Sequence, residues 1–158
     1  MTRVDFYHLQ KQTLEQVLPK LLEKAYSTGK NIKIKVGNEM RVEFINSHLW
    51  TFDDTSFIPH GSKKDGFAEL QPIWLSSDND NPNHAALLFL VDGAAVSADD
   101  AGAYERIFNI FDGNLETAVE QSRGLWKEFK AAGMETYYWQ QEENGRWIPV
   151  SYTHLRAH

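Results

Sequence analysis

Apolar residues recur along this chain with two periods, one near 2 and one near 3.6, and the switches between them divide it into strands and helices. Val4, Phe6 and Leu9 mark a first strand over Val4–Leu9. Leu14, Val17, Leu18, Leu21 and Ala25 then share one helix face, with Thr13 and Gln16 as a capping box and Gly29 as the C-cap. Pro19 has no N–H for the helical ladder, which predicts a kink or a late start. In Asn31–Val36, Ile32, Ile34 and Val36 alternate with Lys33 and Lys35, the pattern of a strand with one solvated face near a sheet edge. Gly37-Asn38 turns the chain into a second helix, Glu39–Leu49, with Val42, Ile45 and Leu49 facing inward.

The second half continues the alternation. Gly61–Glu69 is polar and predicts a mobile loop, and Pro72–Leu75 a short buried strand. Ser76–His84 is dense in Ser, Asp, Asn and Pro, the composition of a loop. Ala86–Val91 is apolar without alternation, as a central strand covered on both faces must be, and Asp92-Gly93 ends it. One helical turn over Ala98–Tyr104 and a strand over Arg106–Phe111 precede the longest helix, Leu115–Ala132. Tyr137–Gln141 and Arg146–Ile148 close the chain as a hairpin around Asn144-Gly145. Strands alternating with helices predict an α/β fold: a three-layer α/β/α sandwich with a mostly parallel, mixed central sheet, Rossmann-like, in a single domain over residues 1–148.

Composition narrows the chemistry. The chain has 158 residues, 42% apolar and 24% charged, as in soluble globular proteins. It has no cysteine, which excludes a disulfide framework, a thiol nucleophile and a cysteine-ligated zinc, and suits a cytoplasmic protein. No apolar run approaches the ~18 residues that span a membrane, and the mixed, charged first residues predict no leader. The formal net charge of −6 argues against a general affinity for nucleic acid. Residues 149–158, ending THLRAH, read as a non-native, adapter-derived tail, so His154 and His158 carry no functional weight.

Enzymatic sites are weakly represented. A phosphate site on such a fold needs a glycine-rich strand-to-helix turn, and the first such turn is Gln10-Lys11-Gln12-Thr13. No phosphate-loop or dinucleotide fingerprint occurs. His8, His48, His60 and His84 form no helical i, i+4 pair, and Asp78-Asn79-Asp80-Asn81 lacks the glycine and closing glutamate of a calcium loop. Asp53-Asp54 and Asp99-Asp100 are neighbours whose side chains need not converge, and Asp92 reads as a turn residue. No catalytic, cofactor or metal residue is assigned. A small α/β hydrolase or nucleotide-binding enzyme with degenerate motifs is the alternative reading.

Two segments stand out instead. Ser47–His60 (SHLWTFDDTSFIPH) places Trp50 and Phe57 in a polar stretch, either folded back on the core or offered to a partner. In the last helix, Leu115, Val119, Ser122, Trp126 and Phe129 share a broad face, and Arg123, Lys127 and Lys130 line the stripe beside it. Cations suit the C-terminal half of a helix through its dipole, and Glu120 is in range of Arg123. The same stripe also suits an anionic ligand with Trp126 as an apolar wall. Chemistry alone favours the dipole reading.

Leu49-Trp50 followed by Ser56-Phe57-Ile58-Pro59-His60 resembles the "LW…SFxPH" segment of the DNA polymerase III chi subunit family. The resemblance continues through Val4-Asp5-Phe6-Tyr7, LLEKAYSTG at Leu21–Gly29, Ala86–Val91, RIFNIFDG at Arg106–Gly113 and LWKEFKAAG at Leu125–Gly133. It implies a non-catalytic subunit of the clamp-loader assembly. Such a subunit would link the psi subunit to the C-terminal tail of the single-stranded DNA-binding protein, without binding nucleic acid or membrane itself. It implies psi contacts from Trp50, Phe57, Pro59 and His60, and tail contacts from Arg123, Trp126, Lys127 and Lys130, which overrides the dipole reading. Asp112 departs from the pattern, standing where a relative has an apolar residue beside the tail.

Overall fold

The computed structural model describes residues 2–51, 60–62 and 65–150, without the side chains of Trp50 and Thr51. The elements run β1 (Arg3–Leu9), α1 (Leu14–Tyr26), β2 (Ile32–Val36), α2 (Glu39–Thr51), β3 (Gly61–Ser62), β4 (Ile73–Ser76), β5 (Leu87–Val91), α3 (Ala98–Ala101), β6 (Arg106–Asp112), α4 (Glu116–Ala131), β7 (Glu135–Gln141) and β8 (Trp147–Pro149). The strands form one sheet in the order β3-β4-β2-β5-β6-β1-β7-β8. All neighbours are parallel except β7 and β8.

Alternation along each strand divides the core in two. Tyr7 and Leu9 of β1, the three aliphatics of β2, Phe89, Phe108 and Ile110 pack against α1 and α2. Val4, Phe6, Leu88, Leu90 and Ile107 point the other way, onto α3 and α4. The α/β/α sandwich with a mostly parallel sheet is therefore the observed architecture.

The local signals for α1 hold in part. Thr13 Oγ1 accepts from the Gln16 N–H at 3.3 Å and Gln16 Oε1 from the Thr13 N–H at 2.9 Å, a complete capping box. The helix neither starts late nor ends at Pro19, which is buried inside it. Proline leaves the Glu15 carbonyl, four residues back, without its ladder donor. The ring of His48 on α2 supplies one, with Nε2–H donating to Glu15 O at 2.8 Å. The C-cap is Ser27, and Gly29, with φ +80°, makes the turn two residues later.

Strand β2 corrects the expectation of an edge strand with a solvated face. It lies in the sheet interior between β4 and β5, and Lys33 is 1% exposed. The Lys33 ammonium donates to Ser76 Oγ (2.6 Å), Asp80 Oδ1 (2.6 Å) and the carbonyls of Asp78 (3.0 Å) and Asp80 (2.7 Å). Trp74 Nε1 and Ser76 Oγ also donate to Asp80. A buried ammonium is tolerated only when so fully surrounded by acceptors. Lys33 thereby pins the first half of the loop at residues 77–84, and Asn83 Nδ2, donating to the carbonyls of Ile32 and Gln71, pins the second.

Two further boundaries move. The segment expected to be a mobile polar loop contributes β3 and a 3₁₀ turn at Ala68–Leu70. The closing hairpin runs past residue 148, since Pro149 ends β8 and the Val150 N–H donates to Tyr138 O at 2.9 Å. Residues 151–158, the rest of the expected tail, lie outside the described residues.

Candidate interaction surfaces

Helix α4 lies over β6 and β7. It buries Ser122, Leu125, Trp126 and Phe129, a face set by the i, i+3, i+4, i+7 spacing. Leu115 is not part of that face: it is the N-cap, and is 53% exposed. Ser122 Oγ accepts from Asn109 Nδ2 on β6 at 3.1 Å, fixing the helix against the sheet. Trp126 is 9% exposed, its ring centroid 5.4 Å from Phe6 and 6.3 Å from Tyr138. It is a largely buried wall of the core beneath the helix, not a projecting side chain.

Arg123, Lys127 and Lys130 are all exposed beside that wall. Lys130 Nζ stands 5.7 Å from the Trp126 ring centroid, within range of a cation–π contact. Among the described residues no carboxylate pairs with Arg123 or Lys127. Glu120 is therefore not the partner of Arg123. Glu128 accepts from the Ala98 N–H at 2.7 Å and ties α4 to α3. Arg123 and Lys127 are one turn apart with like charge, which costs about 0.2–0.5 kcal/mol in the free protein. An anion between them would relieve that cost.

Tyr138 and His8, which the sequence reading left out of the site, stand behind this stripe. Burial pushes the Tyr138 phenol up to about 12, while the Arg123 charge pulls it the other way. Its hydroxyl meets His8 Nδ1. His8 in turn lies against Gly113, where a Cβ would come within 1.9 Å of the ring and 2.6 Å of the Leu9 carbonyl. The turn into α4 thus has room only for glycine. Asp112 is exposed and accepts from the Asn114 N–H at 2.9 Å, so it caps this turn.

The second surface lies at the opposite edge. Phe57 and Pro59 are outside the described residues, and Trp50 is placed only as backbone of α2. His60 is 2% exposed, with Nε2 3.0 Å from the Asn46 carbonyl on α2. His60 is therefore packed against α2 rather than projecting to solvent. Asp65 accepts from Asn46 Nδ2 at 2.9 Å and Ser62 Oγ donates to Glu43 at 2.5 Å, so β3 and its turn are fastened to α2. Met40 (86%), Phe44 (51%), Phe67 (76%) and Leu70 (78%) are exposed on these fastened segments. The sequence signal for Met40 and Phe44 was their i, i+4 spacing on the face opposite Val42, Ile45 and Leu49. Phe67 carries a left-handed φ of 53°, unusual for an aromatic residue.

The candidate enzymatic residues have other roles. Asp92 Oδ2 accepts from Arg41 Nε at 2.9 Å, and Arg41 also bridges to Glu15 at 2.6 Å. The Arg41 guanidinium holds the Glu15 carboxyl below its ordinary range against the opposing effect of burial. Asp99 and Asp100 form the first turn of α3. Asp53-Asp54 lies outside the described residues. Among the described residues no group of three His, Asp or Glu is arranged to hold a metal, and no helix is long and apolar enough to cross a membrane.

The profile described as "DNA polymerase III chi subunit, HolC" matches residues 1–137, through both surfaces and all of α4. The chain belongs to the DNA polymerase III chi subunit family. Over 91 residues it is 32% identical to a probable DNA polymerase III subunit chi of Rickettsia prowazekii, covering 58% of this chain and 55% of that protein. Over 92 residues it is 33% identical to DNA polymerase III subunit chi of Pseudomonas aeruginosa, covering 56% of this chain and 63% of that protein. The chain thus spans less than two thirds of either chi relative.

Proposed function

We propose that this chi-family chain is a non-catalytic, cytoplasmic connector in the polymerase III holoenzyme. Its edge surface takes the psi subunit, and α4 takes the acidic, Phe-ending C-terminal tail of the single-stranded DNA-binding protein. The observation that carries this reading is the placement of the two surfaces. The edge surface belongs to α2 and β3, on the sheet face that α1 and α2 cover, whereas α4 covers the other face. Strand β3 stands four places from β6 in the sheet, about 20 Å at ~4.8 Å per strand. Two partners can therefore be held at once without touching the same residues.

Each surface suits its partner's chemistry. Arg123 offers a planar fork to a carboxylate, Lys127 and Lys130 add mobile positive charge, and Trp126 backs an apolar pocket edge for a terminal ring. For psi, the proposed anchors are Trp50, Phe57 and Pro59 with His60, and the exposed Phe44 and Phe67 add apolar area. Phe57→Ala and Phe44→Ala are expected to weaken psi binding at least tenfold in calorimetric titration while circular dichroism stays unchanged. Psi binding equal to wild type in both folded variants would remove this surface from the proposal.

A further inference from the structure

The sheet face under α1 carries a third feature, away from both surfaces. Between the C-terminal half of α1 and the β7–β8 hairpin lies an open cleft of about 930 Å³. Its floor is aromatic. Tyr7 stacks on Trp139 (6.4 Å, 11°) and meets the edge of Trp147 at 5.1 Å, and both indoles are only half-buried. Its walls are cationic: Arg3, Lys24, Lys30, Arg106 and Arg146 line it.

Two of these cations are held in place by one carboxylate. Asp5 is 0% exposed and accepts from Arg3 Nε and Nη2 and from Arg106 Nε at 2.8 Å. Trp139 Nε1 donates to the same carboxylate at 3.0 Å. The Arg106 guanidinium lies 4.4 Å over the Phe108 ring and that of Arg3 4.2 Å over Tyr137. One negative charge thus fixes two guanidinium groups, each about one third exposed, and leaves a net positive charge facing the cleft. Lys30 is offset by Glu105 at 2.6 Å, but among the described residues Lys24 and Arg146 pair with no carboxylate. A chain of net charge −6 has gathered an excess of cations around stacked rings.

We propose that this cleft binds a nucleoside phosphate unit, its base against the Tyr7–Trp139–Trp147 wall and its phosphate on the Arg3–Arg106 pair. Pre-oriented guanidinium forks match phosphate oxygens, and aromatic walls accept any base. The floor favours this ligand over an acidic peptide, which carries charge without a ring beside each charge. The unit can come from a free nucleotide or from a single strand; in a strand, Lys24 and Arg146 at the rim meet the neighbouring phosphates.

Tryptophan fluorescence of the full chain, titrated with ATP and separately with an eight-nucleotide oligothymidylate at low salt, tests this. Saturable quenching is expected with at least one probe. For the strand, affinity falls with salt at a log–log slope of roughly −2, as for about three neutralised phosphates. Lys24→Glu with Arg146→Glu, both surface changes, should weaken strand binding tenfold or more, and Arg106→Lys should weaken both probes. Arg123→Ala on α4 should change neither, which separates this cleft from the tail site. No quenching by either probe, or equal affinity in the double variant and in Arg106→Lys, overturns the assignment. So does an acidic, Phe-ending peptide that binds with the same sensitivity to Lys24→Glu with Arg146→Glu.

Discussion

Asp80→Asn removes the charge that compensates buried Lys33: asparagine keeps one oxygen acceptor for Lys33 and Ser76 but gives up the second, which now accepts from Trp74 Nε1. Removing one partner of a buried ion pair costs about 3–5 kcal/mol. Here the cost is smaller, for two reasons. The Asp80 side chain is 42% exposed, so water screens part of the attraction. Lys33 also keeps Ser76 Oγ and two carbonyls as acceptors. About 2 kcal/mol remains, or roughly 4–8 °C in melting temperature for a domain of this size. The pH dependence supplies the sharper test. The Lys33 ammonium and the Ser76 and Trp74 donors hold the Asp80 carboxyl below its ordinary 3.8, against the effect of burial. Its contribution is therefore present above that value and is lost as pH falls through the folded-state value. Burial holds Lys33 below its ordinary 10.5, despite Asp80. Its folded form releases the proton first, so stability rises with pH in the window just under 10.5. The deficit of Asp80→Asn relative to wild type should be full near neutrality and shrink towards both acid and strongly alkaline pH. Chemical denaturation across pH measures it. A deficit below about 0.5 kcal/mol at neutrality, or one that does not change with pH, refutes the reasoning.

Gly113→Ala is expected to cost about 1–3 kcal/mol by forcing the His8 ring and the Leu9 carbonyl away from the turn into α4, as overpacking does. Denaturant titration measures it, and a neutral result would show that the turn is not close-packed. Removal of residues 151–158 is expected to leave the melting temperature within about a degree, read by differential scanning calorimetry. A loss of several degrees would make that segment structural.

Much of the layer structure was legible because period and burial agree. Fully apolar Leu87–Val91 is central, and Leu14, Val17, Leu18, Leu21 and Ala25 do face the core. The failure at β2 is instructive, since alternating lysines normally mean water. Here Lys33 finds its acceptors on β4 and in the following loop, more than forty residues away in sequence. Local periodicity carries no information about such distant partners. Pro19 misled for the same reason, since its orphaned carbonyl is served by His48 on another helix. At the candidate sites, residue type located the α4 stripe, whereas the burial of His60 and the exposure of Phe67 depend on how β3 is fastened to α2. The shared Asp5 that orients Arg3 and Arg106 joins two strands about a hundred residues apart and leaves no local pattern.

The connector reading turns on α4, and one titration tests it most directly. A fluorescently labelled acidic peptide ending in Phe is titrated into wild type and Arg123→Ala at low and moderate salt. Arg123 is exposed on α4, so the variant should fold as wild type does, which circular dichroism checks first. Loss of a hydrogen bond to a charged group is worth about 1.5–3 kcal/mol, or roughly tenfold to hundredfold in affinity. Wild type is expected to bind, to bind more weakly as salt rises, and to lose that much affinity in Arg123→Ala. Equal affinity in the two proteins at both salt concentrations would contradict the account and remove α4 from the binding site.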